Sequence, residues 1–109
     1  MAKLPNSALV DIFTLQRNLV ECLDSTTAME YRLFREIGET PETLPELQNI
    51  RERLVSSCSR LYNLLLRVCQ SQPIAPNDML NLLYVAMETG QASLDASTAS
   101  LQDIQRNWN

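Results

Sequence analysis

Histidine is missing from this chain of 109 residues, and glycine is scarce. Without histidine, the protein lacks the most common general base and the most common metal ligand. The only two glycines, Gly38 and Gly90, are too few and too far apart to form a glycine-rich phosphate loop. The three cysteines, Cys22, Cys58 and Cys69, contain no Cys-x-x-Cys pair, which is the spacing typical of zinc sites. We therefore predict a protein that is not an enzyme and holds neither a metal nor a cofactor.

Positive charge and long apolar runs are also scarce. Lys3 is the only lysine, and the formal net charge is −4. Arg53, Arg60 and Arg67 recur every seven residues, and we expect a solvated flank there, the alternative being a stripe that binds an acidic partner. Because nucleic-acid binding depends on clustered basic side chains, we predict none. The apolar runs are far shorter than the ~20 residues that cross a bilayer, so we also predict no membrane contact.

The start of the chain and its cysteines indicate the compartment. No long apolar run follows residues 1–5, so we expect no signal peptide. The odd number of cysteines, all within apolar segments, argues against a secreted disulfide scaffold and favours free, buried thiols. These observations predict a cytoplasmic protein.

What the chain does contain is three long segments with apolar residues at alternating spacings of three and four. They run through residues 12–33, 47–68 and 80–108. This spacing is typical of a helix that packs along its length against other helices. We call the line of residues at this spacing the seam of the helix. The scarcity of glycine, which destabilises helix interiors, agrees with a helical chain.

Proline-containing segments separate the three predicted helices, which we place at about residues 7–37, 44–71 and 77–107 in a single domain, 1–109. Short connections between helices of similar length favour antiparallel neighbours. The fold class is therefore all-α, an up-down-up antiparallel three-helix bundle with long helices that self-associates. The polar run 24–27 interrupts the first segment; we expect a continuous helix there, the alternative being a break near Ser25.

The apolar faces are wider than the seams. Phe13, Val20 and Phe34 fall on one further line of the first helix, and a similar line crosses the second helix through Val55, Tyr62 and Cys69. A three-helix bundle needs wide apolar faces because each helix meets two neighbours. The part of these apolar faces that exceeds this need argues for burial against a second chain.

Apolar residues off the seam concentrate toward one end of the bundle, around residues 8–15, 61–69 and 79–87. We call this the apolar end. There we predict a homodimer interface, which a different protein partner could also occupy. Its anchors are Phe13, Leu66, Leu82, Tyr84 and Val85.

Small or polar residues occupy the middle of each seam, at Thr26, Ser57, Gly90 and Ser97. We call these four positions the waist. Small side chains let helices approach closely, and hydroxyl groups can bond to the carbonyl four residues earlier. We therefore expect close packing at the waist, the alternative being a cavity that holds water or a ligand near Thr26, Ser57 and Gly90.

These patterns favour a small, non-enzymatic interaction module, a regulator or adaptor that acts through the apolar end. Two alternatives stay open. The first is a ligand-binding or sensory bundle that uses a cavity at the waist, and the second is an accessory subunit of a larger complex. Thermal-shift screening separates the first from the interaction module, because only a ligand-binding bundle predicts stabilisation by a small molecule.

Overall fold

The computed structural model describes residues 4–37 and 43–108. Three helices account for nearly all of them: α1 spans Asn6–Arg32, α2 spans Thr43–Gln70 and α3 spans Asn77–Trp108. A π-helical turn, Leu33–Ile37, extends α1. The helices pack against one another in all three pairings and form a rod of 55 × 18 × 17 Å. The predicted all-α three-helix bundle is confirmed, and the predicted helix ends agree within one residue when the π-helical turn is counted as the end of the first helix.

Contacts between the helices give their directions. Gln16 of α1 meets Cys58 of α2, whereas Glu30, further along α1, meets Arg51, which lies earlier in α2. Residue numbers therefore rise along α1 as they fall along α2, so the two helices are antiparallel. α2 and α3 are antiparallel by the same reasoning, since Ser57 contacts Ser93 and Ser71 contacts Met79. The connection between α2 and α3 contains a cis Gln72–Pro73 peptide bond.

α1 is continuous through the polar run 24–27, so the alternative of a break near Ser25 is wrong. The Thr26 hydroxyl donates a hydrogen bond to the Cys22 carbonyl at 2.8 Å, and the Thr27 hydroxyl donates to the Leu23 carbonyl at 3.1 Å. These bonds run four residues back along the helix and satisfy the hydroxyls without an alternative turn. Gly38, the residue after the predicted end of the first helix, lies outside the described residues.

The seams of α1 and α2 form the core, as the spacing predicts, and the seam of α3 does so in part. Its seam residues Leu80, Met87 and Leu94 are only half-buried, whereas Ala86, which lies off the seam, is buried. A small side chain at position 86 lets this side of α3 turn toward its neighbours. The core-facing line of α3 consists of Leu83, Ala86, Gly90, Ser97, Leu101 and Ile104.

Within the described ranges, no helix combines the length and the apolar character that crossing a membrane requires.

Candidate interaction surface

All five residues predicted as anchors are exposed. Phe13, Leu66, Leu82, Tyr84 and Val85 each leave between 40% and 56% of their surface open to solvent. Exposed apolar side chains are informative when they are contiguous, because contiguous patches mark binding sites more often than scattered residues do. The arrangement of these five residues on the bundle therefore decides whether they form a surface.

A hydrogen-bonded pair marks the groove between α1 and α2. The Gln16 side-chain amide donates to the Cys58 carbonyl at 3.3 Å, and the Cys58 thiol donates to Gln16 Oε1 at 3.1 Å. Burial raises the pKa of the Cys58 thiol, so the sulfur stays protonated at neutral pH and keeps its donor. The pair joins the two helices on the floor of the groove.

Four exposed apolar side chains surround this pair. Phe13 and Val20 lie three residues before and four residues after Gln16, and on a helix these are its neighbours on the same face. Val55 and Tyr62 lie at the same spacings from Cys58. All four are between 45% and 56% exposed. The groove between α1 and α2 is therefore lined by apolar side chains on both sides.

Two further residues extend the same lines toward the apolar end. Val10 lies one turn before Phe13 on α1, and Leu66 lies one turn after Tyr62 on α2. Both are exposed. We call the combined surface the outer face, and its six members are Val10, Phe13, Val20, Val55, Tyr62 and Leu66.

The outer face points away from α3. The opposite side of α1 carries Leu15 and Leu19, both buried, and a Cβ built on Gly90 of α3 would lie 3.3 Å and 3.8 Å from their methyl groups. Since α3 occupies that side, the exposed line on α1 faces solvent. The same holds for α2, whose buried Leu61 and Leu64 lie on the core side.

The predicted anchors therefore divide into two groups. Phe13 and Leu66 belong to the outer face. Leu82, Tyr84 and Val85 lie on α3 next to the buried Leu83, and all three are exposed. Residues two apart on a helix do not share a face, so Leu82 and Tyr84 lie on different sides of α3 and the three residues form no single patch. Sequence reasoning did single out the lines through Val20, Val55 and Tyr62, but it gave no anchor role to these residues or to Val10.

Charged side chains border the outer face on α1. Arg17 lies between Phe13 and Val20 along the chain and pairs with Glu21 at 3.0 Å, with 79% of its side chain exposed. Asp24, seven residues after Arg17, is also exposed. One basic and one acidic side chain thus lie on the same line of α1, on either side of Val20.

The residues of the waist pack closely. A Cβ on Gly90 would approach a Leu15 methyl group to 3.3 Å, Thr26 and Ser97 are fully buried, and Ser57 donates to Ser93 Oγ at 3.3 Å. This packing supports the interpretation of a close helix approach over that of a cavity.

A shallow groove of about 580 Å³ lies between α1 and α3 and contains none of the four waist residues. Its floor is apolar and its rim carries Glu21 and Asp95, with no basic side chain among its lining residues. Across the described part of the chain, no three cysteine or acidic side chains converge in a way that could hold a metal ion.

Comparison with known proteins returns no match among family models, curated protein sequences or solved structures. Neither an activity nor a partner can therefore be carried over from a relative, and the functional argument depends on the surface of the molecule.

Proposed function

We propose that this protein is a small, cytoplasmic, non-enzymatic interaction module, a regulator or adaptor that binds a protein partner through the outer face. One observation carries the proposal: six large apolar side chains, each between 41% and 56% exposed, lie together on the α1–α2 side of the bundle. Phe and Tyr alone can each bury about 150–250 Å², and the six residues together present roughly 500 Å² of apolar surface.

The monomer leaves about half of each of these side chains uncovered. The core of α1 and α2 is filled by the seam residues, and α3 covers that core from the opposite side. Covering the exposed half of these side chains would release about 25 cal/mol per Å². The largest apolar patch on a typical monomer has about this size and is often functional.

Site-specific photo-crosslinking tests the proposal in cells of the source organism. A photoreactive phenylalanine analogue at position 13 or 62 should form covalent adducts with a protein partner. The matched control places the same analogue at Gln91, an exposed α3 residue beside Gly90, and should form none. The proposal fails if positions 13 and 62 form no more adduct than position 91.

The groove between α1 and α3 supports a second candidate, a small-molecule-binding bundle. Its apolar floor includes Met29 and Leu94, and its rim offers carboxylates and amides for a polar ligand. A thermal-shift screen against metabolites separates the two candidates. A ligand that raises the melting temperature of the wild type, but not of a Met29→Glu variant, would favour the second candidate.

A further inference from the structure

We propose that the groove between α2 and α3 is a second interaction surface, which binds an acidic helix of a partner protein through Arg53, Arg60 and Arg67. We call these three residues the arginine line, and all three are exposed. The inference is separate from the proposed function, because the outer face lies on the α1–α2 side of the bundle. Two features carry it: the arginine line has no acidic partner within the chain, and its spacing matches that of a helix.

A contact of Ser57 places the arginine line on the α3 side of α2. Ser57 donates to Ser93 Oγ of α3. Arg53 and Arg60 lie four residues before and three residues after Ser57, and on a helix these are its neighbours on the same face. Arg53 also lines a groove of about 550 Å³ together with Ser100 of α3. The third arginine lies seven residues further along the same line, which therefore borders the groove between α2 and α3.

No carboxylate of the described residues neutralises the arginine line, since none of its three guanidinium groups forms an ion pair with them. Across the groove, the neighbours of Ser93 on the same face of α3 are Thr89 and Ala96. They lie level with Arg60 and Arg53, because α2 and α3 are antiparallel, and both are exposed and uncharged. The chain, although acidic overall, thus leaves three positive charges in one line without a counter-charge.

The spacing of the arginine line matches a helix. Successive members are seven residues apart, a rise of about 10.5 Å along α2, so the line is about 21 Å long. A second helix lying along the groove repeats its own side chains at the same interval, and acidic residues seven apart can therefore reach all three arginines. Arginine can bind a carboxylate through two parallel hydrogen bonds. Small side chains such as Ala96 and Ser100 let the incoming helix approach closely.

Acidic neighbours favour a protein helix over a nucleic acid. Glu46 lies seven residues before Arg53 on the same line, and Glu46 and Glu52 line the same groove as Arg53. A phosphate backbone is negative along its whole length, so these carboxylates would repel it. A helix can instead place a lysine opposite Glu46 and acidic residues opposite the arginine line. The surface therefore fits a partner with one basic and three acidic residues at intervals of seven.

Fluorescence anisotropy with designed helical peptides tests the inference on the full chain. Two matched peptides of about 30 alanine- and glutamine-rich residues carry one lysine and three glutamates at intervals of seven, one for each direction of the partner helix. A control peptide has the same composition with the four charges spread over different sides of the helix. At low ionic strength, one matched peptide should bind at least about tenfold more tightly than the control. The proposal is overturned if neither matched peptide binds at about 1 mM, or if neither binds more tightly than the control.

Variants of the protein locate the binding site. Replacing all three residues of the arginine line by glutamine should weaken the matched complex at least about tenfold. A control variant removes the same charge at three exposed arginines elsewhere, and should leave the affinity within about twofold: Arg17→Gln, Arg35→Gln and Arg106→Gln. Equal losses in the two triple variants would mean that net charge alone attracts the peptide, and would overturn the proposal. Circular dichroism of each variant confirms that the helices are retained.

A DNA duplex of about 20 base pairs is the competing probe. If the wild type binds the duplex more tightly than either matched peptide at the same salt concentration, the arginine line serves a nucleic acid and the proposal is overturned. Glu46→Gln should weaken the matched peptide, whose lysine loses its partner, whereas it would strengthen the binding of a duplex. Crosslinking from positions 13 and 62 reports on the outer face alone, so either proposal can fail without the other.

Discussion

Ser97→Ala should stabilise the protein, although it removes a polar group from the middle of the bundle. Ser97 is fully buried, and its hydroxyl makes no hydrogen bond to any atom of the described residues. A buried hydroxyl without a partner costs about 1–3 kcal/mol, and alanine also has the higher helix propensity, by a few tenths of a kcal/mol. The space left by one oxygen atom offsets part of this gain. We expect a net stabilisation of about 1 kcal/mol and a melting temperature about 4 °C higher.

Urea denaturation followed by circular dichroism measures the change in the free energy of unfolding. Ser56→Ala is the matched control, since Ser56 is an exposed residue within α2 and reports the helix propensity alone. The change in the free energy of unfolding caused by Ser97→Ala, minus the change caused by Ser56→Ala, gives the cost of burying the Ser97 hydroxyl. A destabilisation by Ser97→Ala would refute the reasoning. It would mean that the hydroxyl has a partner in solution, such as a bound water or ligand, and would favour the cavity interpretation of the waist.

Three further predictions concern the core and the groove. Leu54→Ala, at a fully buried position of α2, should lower the free energy of unfolding by about 3 kcal/mol in the same urea assay. Gly90→Val should destabilise by about 1–3 kcal/mol, because even its Cβ would lie 3.3 Å from the Leu15 Cδ2 atom; a stability equal to that of the wild type would contradict the close approach. Because burial raises the pKa of the Cys58 thiol, iodoacetamide should modify Cys58 more slowly in the folded protein than in urea at neutral pH, as peptide mass spectrometry of the labelled protein can show.

The bundle could be predicted from the sequence because its core obeys a strict spacing. Along α1 every seam position from Ile12 to Leu33 is buried, so the alternation of three and four residues identifies the core side directly. In α3 the same rule selects Met87 and Leu94, which are only half-buried. Hydrophobicity alone does not reveal that Ala86, a small residue, permits closer packing on the neighbouring side.

The surface was harder to predict because it depends on how the helices are rotated about their axes. The sequence shows that apolar residues concentrate toward one end, and it groups Phe13, Leu66 and Leu82 there. It does not show that α3 packs against the side of α1 that carries Leu15, which places Leu82 on a different side of the molecule from Phe13. Only the contacts across the α1–α2 groove bring Phe13, Val20, Val55 and Tyr62 into one surface.

The slender cross-section of the bundle explains why an apolar surface is left over. A rod of 18 × 17 Å has room for one central column of side chains from three helices, and the seam residues fill it. Small residues at the waist bring the helices closer together, which narrows the column further. A second apolar line on a helix, such as that of Phe13 and Val20, therefore cannot turn inward in the monomer. Its burial requires more protein on the α1–α2 side, and that requirement makes the outer face, more than the interior, the site where function is to be sought.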